Sequence, residues 1–251
     1  MLNTVLITGA SGGIGQALAL EYAAPGRTLF LHGRDVRRLT ALSQECRVRG
    51  ATVTEVIQDL REVKEWIARL EAVSRETPID LAIVNAGVTN IAGLQGEEWE
   101  DIEQVLAVNI VAPLATVSGL LPAMRSRGQG QIALVSSLSA WYGMPVNPTY
   151  CASKAALKNY GEALRSLLAP QGIFVNVVLP GFVDTPMTDQ VPGPKPFLMS
   201  PARAARLIRR GLDRNQGRIG FPLLLSWGMR CLSVLPPAVS ERIIRSLGYT
   251  E

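Results

Sequence analysis

Tyr150 and Lys154 stand four residues apart in the run Tyr150-Cys151-Ala152-Ser153-Lys154, and two serines, Ser136 and Ser137, precede them. On a helix, positions i and i+4 share a face, so a phenol and an ammonium at this spacing can line one site. Such a pair is suited to proton transfer. A tyrosine with a reference pKa of ~10 exchanges protons poorly near neutrality, and lowering it by about three units takes ~4 kcal/mol of differential stabilisation. A positive charge ~4 Å away at an effective dielectric of ~20 supplies about that much. Tyr150 is therefore read as a general acid/base whose pKa Lys154 lowers.

A second motif opens the chain: Thr8-Gly9-Ala10-Ser11-Gly12-Gly13-Ile14-Gly15 follows the apolar run from Thr4 to Thr8. A strand, a glycine cluster and a helix beginning near Gly13 create a setting in which unpaired amides and the helix dipole favour a pyrophosphate. Gly9, Gly13 and Gly15 would let backbone and ligand approach closely, although a tight turn without a ligand is the alternative. The spacing of these glycines, together with Tyr150, Lys154 and a serine thirteen residues before the tyrosine, resembles the short-chain dehydrogenase/reductase family from about Thr4 to Thr185.

That resemblance implies a nicotinamide-dependent enzyme interconverting a carbonyl and an alcohol. Tyr150 would be the acid in reduction and the base in oxidation, and Ser137, rather than Ser136, would hold the substrate carbonyl. Asn109 would keep a water against Lys154; without the resemblance it reads as a satisfied polar group in a buried helix. Ser11 and Ile14 lie within the phosphate loop. Asp59 and Leu60 would meet the adenine, and Asn85, Ala86 and Gly87 the adenosine ribose. Pro180, Gly181, Val183 and Thr185 would bind the nicotinamide carboxamide, with Tyr150 and Lys154 also reaching the cofactor. Ordinary turns at Asp59, Asn85 and Pro180-Gly181 are the alternatives.

Cofactor choice turns on Leu31-His32-Gly33-Arg34-Asp35. An acidic residue at the end of the second strand binds the ribose 2′-hydroxyl, whereas an arginine accommodates a 2′-phosphate. By resemblance Gly33 replaces the acidic residue and Arg34 follows it, which favours NADP(H). If the loop shifts by one or two residues, Asp35 selects NAD(H) instead, though it also reads as the N-cap of the next helix.

The elements that must position these groups are legible as alternation. Short apolar runs at 4–8, 28–32, 51–57, 79–85, 131–136 and 173–179 read as buried parallel strands. Helical spacing separates them at 35–49, 61–75 and 148–168. The fold expected is α/β, a single-domain doubly wound parallel sheet with helices on both faces. A length of 251 residues and 47% hydrophobic content suit one such domain and argue against disorder. Cys46, Cys151 and Cys231 are widely spaced and odd in number, which argues against a disulfide framework or a zinc site. No secretory signal is visible, and a cytoplasmic protein is expected.

Two uncharged stretches invite a membrane test. Residues 104–124 are long enough to span but are interrupted by Asn109, Pro113 and Pro122, so a buried helix between sheet and partner subunit is expected. Residues 219–229 are too short to cross a bilayer and could only lie on one. By analogy with the family, the substrate pocket would draw on Val88 to Leu94, Leu138 to Asn147 and the stretch after Thr185. Trp141, Tyr142, Met144, Met187, Phe197, Leu198 and Met199 would make it apolar, fit for a lipophilic ketone, aldehyde or secondary alcohol. Residues 186–200, rich in Pro and Gly, read as a lid. Residues 201–251 carry nine arginines against three acids, a local charge of +6, around apolar patches such as 221–225. A helical extension with a dimer interface explains them, with peripheral membrane contact as the alternative; nucleic-acid binding lacks a stacking surface or motif. His32, the only histidine, has no nucleophile elbow near it and reads as structural, and no metal site is expected. A dinucleotide-binding sensor that does no chemistry stays in view as the alternative to the enzyme, which is likewise expected to be a homodimer or homotetramer.

Overall fold

Runs as apolar as Thr4-Val5-Leu6-Ile7 and Leu81-Ala82-Ile83-Val84 leave no face for water, so each strand they form must be covered on both sides. The computed structural model describes residues 3–92 and 96–247. In chain order the elements are β1 (Thr4–Ile7), α1 (Gly13–Tyr22), β2 (Thr28–Gly33), α2 (Val36–Val48), β3 (Thr52–Ile57), α3 (Val63–Glu76), β4 (Leu81–Val84) and α4 (Trp99–Leu106). A π-helical segment (Ala107–Val111) leads into α5 (Ala112–Arg127), followed by β5 (Gly130–Val135), α6 (Pro148–Leu168) and β6 (Ile173–Pro180). The chain continues through α7 (Pro186–Asp189), α8 (Pro201–Asp213), β7 (Arg218–Phe221), α9 (Leu223–Val234) and α10 (Pro237–Ser246).

All the strands run parallel in one seven-stranded sheet of order β3-β2-β1-β4-β5-β6-β7. The period-2 alternation of strand side chains divides the core into two layers. Val5, Ile7, Leu29 and Leu31 face α1, α2 and α8, whereas Leu6, Phe30, Ala82 and Leu134 face α3, α5 and α6. Strand order reverses between β1 and β4, and such a switch point opens a crevice at the carboxyl ends of the strands.

The long helical run 99–127 passes by length and composition for a membrane span, yet over half of its apolar window is buried. Trp66 Nε1 on α3 donates to Thr116 Oγ1 at 2.8 Å, and α3 and α5 pack closely where Gly119 meets Leu70. It is a core helix.

The C-terminal region departs from the expected extension. Its first half belongs to the main fold, because Ala204, Ala205, Ile208 and Leu212 of α8 pack into the core against α1 and the sheet. The stretch 219–229, read as one surface segment, divides instead into the end of β7 and the start of α9. A four-residue strand containing Gly220 is too short to leave a periodic signal. It is held by a buried polar network. Fully buried Asn176 on β6 accepts from Gln131 Nε2 at 2.8 Å and donates to Asn215 Oδ1 at 3.1 Å and the Gln216 carbonyl at 2.7 Å. Arg165 from α6 adds bonds to Asn215 Oδ1 at 2.8 Å and its carbonyl at 2.9 Å. Removing one member leaves buried partners unsatisfied, so Asn176→Ala should destabilise the protein by about 3 kcal/mol in urea unfolding. A loss under about 1 kcal/mol would mean that the network is not what fixes β7.

Candidate active site

The glycine loop is folded by its neighbours. Gly9 takes φ +65°, a left-handed conformation, and a Cβ there would lie 2.8 Å from Ala86 Cα. Thr8, at the end of β1, accepts through Oγ1 from the amides of Asn85 at 3.0 Å and Ala86 at 3.1 Å. Asn85 Nδ2 returns bonds to the carbonyls of Thr8 at 3.1 Å and Gly9 at 3.2 Å. A Cβ on Gly13 would collide with the side chain of Thr185, so the loops after β1, β4 and β6 meet at one place. The first turn of α1 holds no acidic residue and Gly12 brings no side-chain cap, which leaves its positive dipole end to an anion.

These loops border a cleft of about 1220 Å³. Gly9, Ser11, Gly13 and Ile14 line it on one side, with Arg34, Asp59 and Leu60 at one end. Asn85, Ala86, Gly87, Pro180, Gly181, Val183 and Thr185 continue the wall to Ser137, Tyr150 and Lys154. A dinucleotide fits this set, because the missing Cβ atoms and the first-turn amides of α1 form the cradle that a pyrophosphate requires. Two expected residues sit behind the wall. Gly15 packs against the Gly9 carbonyl and Asn85, and Asn109 is fully buried.

At the outer end Asp35 caps α2, accepting from the Arg38 amide at 3.1 Å and pairing with the Arg38 guanidinium at 3.3 Å. Asp59 is bound by Arg61, whose guanidinium lies 2.6 Å away and holds the carboxyl down at about 2. Ser11 lies against Gly33, where a Cβ would stand 2.8 Å from its Oγ.

At the inner end, α6 carries Tyr150 and Lys154 on one face, as their spacing requires. Ser136 Oγ donates to the Lys154 carbonyl at 2.7 Å, a structural bond; Ser137 lines the cleft with Tyr150, and its Oγ accepts from the Ser139 amide at 3.1 Å and donates to Ser139 Oγ at 3.2 Å. The expected lowering of the phenol by Lys154 is not met. Burial pushes Tyr150 up to about 12, against the pull of Ser137, and pushes Lys154 down to about 8. Lys154 Nζ lies 5.6 Å from the centre of the Tyr150 ring and donates to the Val135 carbonyl at 3.1 Å. Desolvation is the largest cause of both shifts.

Asn109 sits in the π-helical segment, a distortion that often marks functional sites. Its Oδ1 accepts from the Val88 amide at 2.9 Å, while Nδ2 donates to the Val88 carbonyl at 2.9 Å and Ser153 Oγ at 3.0 Å. Gly87 separates it from the lysine: a Cβ there would lie 3.2 Å from Lys154 Nζ and 3.3 Å from Asn109 Oδ1.

The expected apolar pocket is redistributed. Met187 lines the cleft, whereas Trp141, Tyr142 and Met144 line a separate pocket of about 960 Å³ between α6 and α10. Met199 is buried through its bridge to Val183, and Phe197 and Leu198 are exposed, because the 186–200 segment turns them outward. Leu94 lies outside the described residues. Thr8, Arg38 and Arg206, which also belong to the site, were not legible. A hydroxyl before a glycine loop could have flagged Thr8, but nothing in sequence brings α8 and Arg206 to this cleft.

His32 supports the loop as expected of a structural residue. Nδ1 accepts from the Gly9 amide at 3.3 Å, so Nε2 carries the proton and donates to the Gln58 carbonyl at 2.9 Å, with the ring 5.1 Å from Trp66. Protonation would destroy the Nδ1 acceptor, and burial holds the pKa below its ordinary 6.5. Above the ordinary value the imidazole is neutral in folded and unfolded chains alike. Below it the unfolded chain takes up the proton more readily, so stability is lost as pH falls. The melting temperature should drop between about pH 7 and pH 5.5 by more in the wild type than in His32→Gln; equal drops would remove His32 as the cause.

Residues 3–195 match the short chain dehydrogenase family. An uncharacterized oxidoreductase of Myxococcus xanthus is 35% identical over 246 residues, covering 98% of this chain and 97% of that one. Among solved structures, a short-chain dehydrogenase from Sphingobium yanoikuyae in complex with NADPH superposes with a TM-score of 0.81 at 27% identity, covering 94% of this chain and 98% of the other. A bulky-bulky ketone specific alcohol dehydrogenase from Comamonas testosteroni gives 0.79 at 26% identity, covering 94% and 96%. With a family match over residues 3–195 and the fold shared over 94% of the chain, the protein belongs to the short chain dehydrogenase family and is an oxidoreductase.

Proposed function

We propose that this chain is an NADP(H)-dependent reductase that converts a lipophilic ketone or aldehyde to its alcohol, with Tyr150 as proton donor. The observation that carries this reading is the gathering of Ser137, Tyr150 and Lys154 in the wall of one cleft that also presents the glycine loop and Arg34. The bound dinucleotide would supply the hydride. Ser137 would hydrogen-bond the substrate oxygen, and the Tyr150 hydroxyl would give that oxygen its proton as the carbonyl is reduced. Lys154, as an ammonium, would stabilise the phenolate left behind. Asn109 would fix Val88 and the cleft wall through its three bonds.

A phenol pushed up to about 12 keeps its proton at neutral pH, so Tyr150 would stand protonated beside the substrate oxygen and would give the proton to the far more basic alkoxide that hydride transfer creates. Arg34 at the cleft end suits a 2′-phosphate, and Asp35, engaged as cap and ion-pair partner, is less free to take the ribose. The NADPH complex of the Sphingobium relative and the bulky ketones of the Comamonas enzyme point the same way. Residues 186–200 would close over the substrate, with Met187 inside. The small exposed residues Ala152, Ala156 and Ala163 on α6 would serve a homodimer or homotetramer, and the free cysteines suit a reducing, cytoplasmic setting.

Replacing Tyr150→Phe should abolish turnover while cofactor affinity is retained; unchanged turnover would sink the assignment. NADPH should bind more tightly than NADH in a fluorescence titration, and Arg34→Ser should weaken NADPH alone, by about tenfold. Tighter NADH binding would move the ribose contact to Asp35. Reduction should decline as pH rises through about 8, where Lys154 loses its charge, and the decline should move to higher pH in Lys154→Arg.

A further inference from the structure

α9 is apolar on both sides, and only one side is covered. Leu225, Met229 and Leu232 point inward, against Leu138, Val177 and Leu179 in one cluster and Val146 in another. The opposite side exposes Leu223 at 72%, Leu224 at 69%, Trp227 at 62% and Val234 at 82%. At 3.6 residues per turn these four fall within an arc of about 100°. α10 repeats the arrangement, with Ile244 inside and Val239, Ile243 and Leu247 exposed at helical spacing.

The charge around these faces has one sign. Residues 222–247 contain Arg230, Arg242 and Arg245 against a single acid, Glu241. Arg230 is held between two rings, 4.9 Å from the centre of Trp141 and 5.6 Å from that of Trp227, at the edge of the apolar arc. An isologous second copy would bring together two patches of the same positive sign. Anionic headgroups would neutralise them while the leucines and Trp227 entered the acyl boundary. A twelve-residue helix is far too short to cross a bilayer, so it can only lie in the interface.

We propose that the outer faces of α9 and α10 form a peripheral membrane surface that docks on bilayers containing anionic lipid. It is independent of the reaction at Tyr150, whose residues it does not use.

Full-length protein should co-sediment at low salt with phosphatidylcholine vesicles containing about 30% phosphatidylserine, and far less with phosphatidylcholine alone. Salt should release it. The Leu223→Ser/Leu224→Ser double variant should lower the partition coefficient by about a hundredfold. Its melting temperature and its sedimentation coefficient in buffer should match the wild type, since both side chains are exposed. Arg242→Glu gives a second test through charge alone and should weaken association with the anionic vesicles only. The proposal is overturned by no association at low salt, by equal association with both vesicles, or by a wild-type oligomer that dissociates in the double variant, which would assign the face to a second copy.

Discussion

The whole site depends on how closely three loops can approach one another at the carboxyl edge of the sheet. Gly9 and Gly13 have no Cβ where Ala86 and Thr185 come against them, and Thr8 and Asn85 lock two of the loops with reciprocal hydrogen bonds. An added methyl at either glycine would push the wall of the cleft outward. The geometry at the Tyr150 end is therefore set partly by contacts at Gly9 and Gly13, because β1 pairs with β4, and β5 joins β4 to β6, in one rigid sheet.

At the Tyr150 end of the cleft, burial decides the charge. Tyr150 and Lys154 are each driven toward neutrality by burial, in opposite directions on the pH scale. Spacing on a helix announces that two side chains share a face. It does not give their desolvation, which depends on what the rest of the chain packs above them, here Val135 and its neighbours.

Much of the framework was legible in the sequence for a physical reason. Five strands buried on both faces need continuous apolar runs, whereas the edge strand β3, expected to be buried, turns Thr52, Thr54 and Ile57 to the outside; α6 ran from Pro148 to Leu168 as its spacing required. The glycine loop and the α6 pair could be read because both are local in sequence. What could not be read is non-local or weakly patterned. β7 is four residues long and is held by Asn176, Asn215 and Arg165, whose partners are far apart in the chain. The lining of the apolar pocket failed for the same reason: Trp141 packs against α9 and Met144 against α9 and α10, about 80 to 100 residues later in the chain, while Met199 is drawn inward by Val183.

His32 has a further use that follows from its being alone. The chain holds one imidazole, placed between the amide of Gly9 and the carbonyl of Gln58 and tilted at 54° against Trp66. In a proton magnetic resonance spectrum its ring signals would have no counterpart to overlap, so the native protein carries an unlabelled internal reporter on the loop that shapes its cleft.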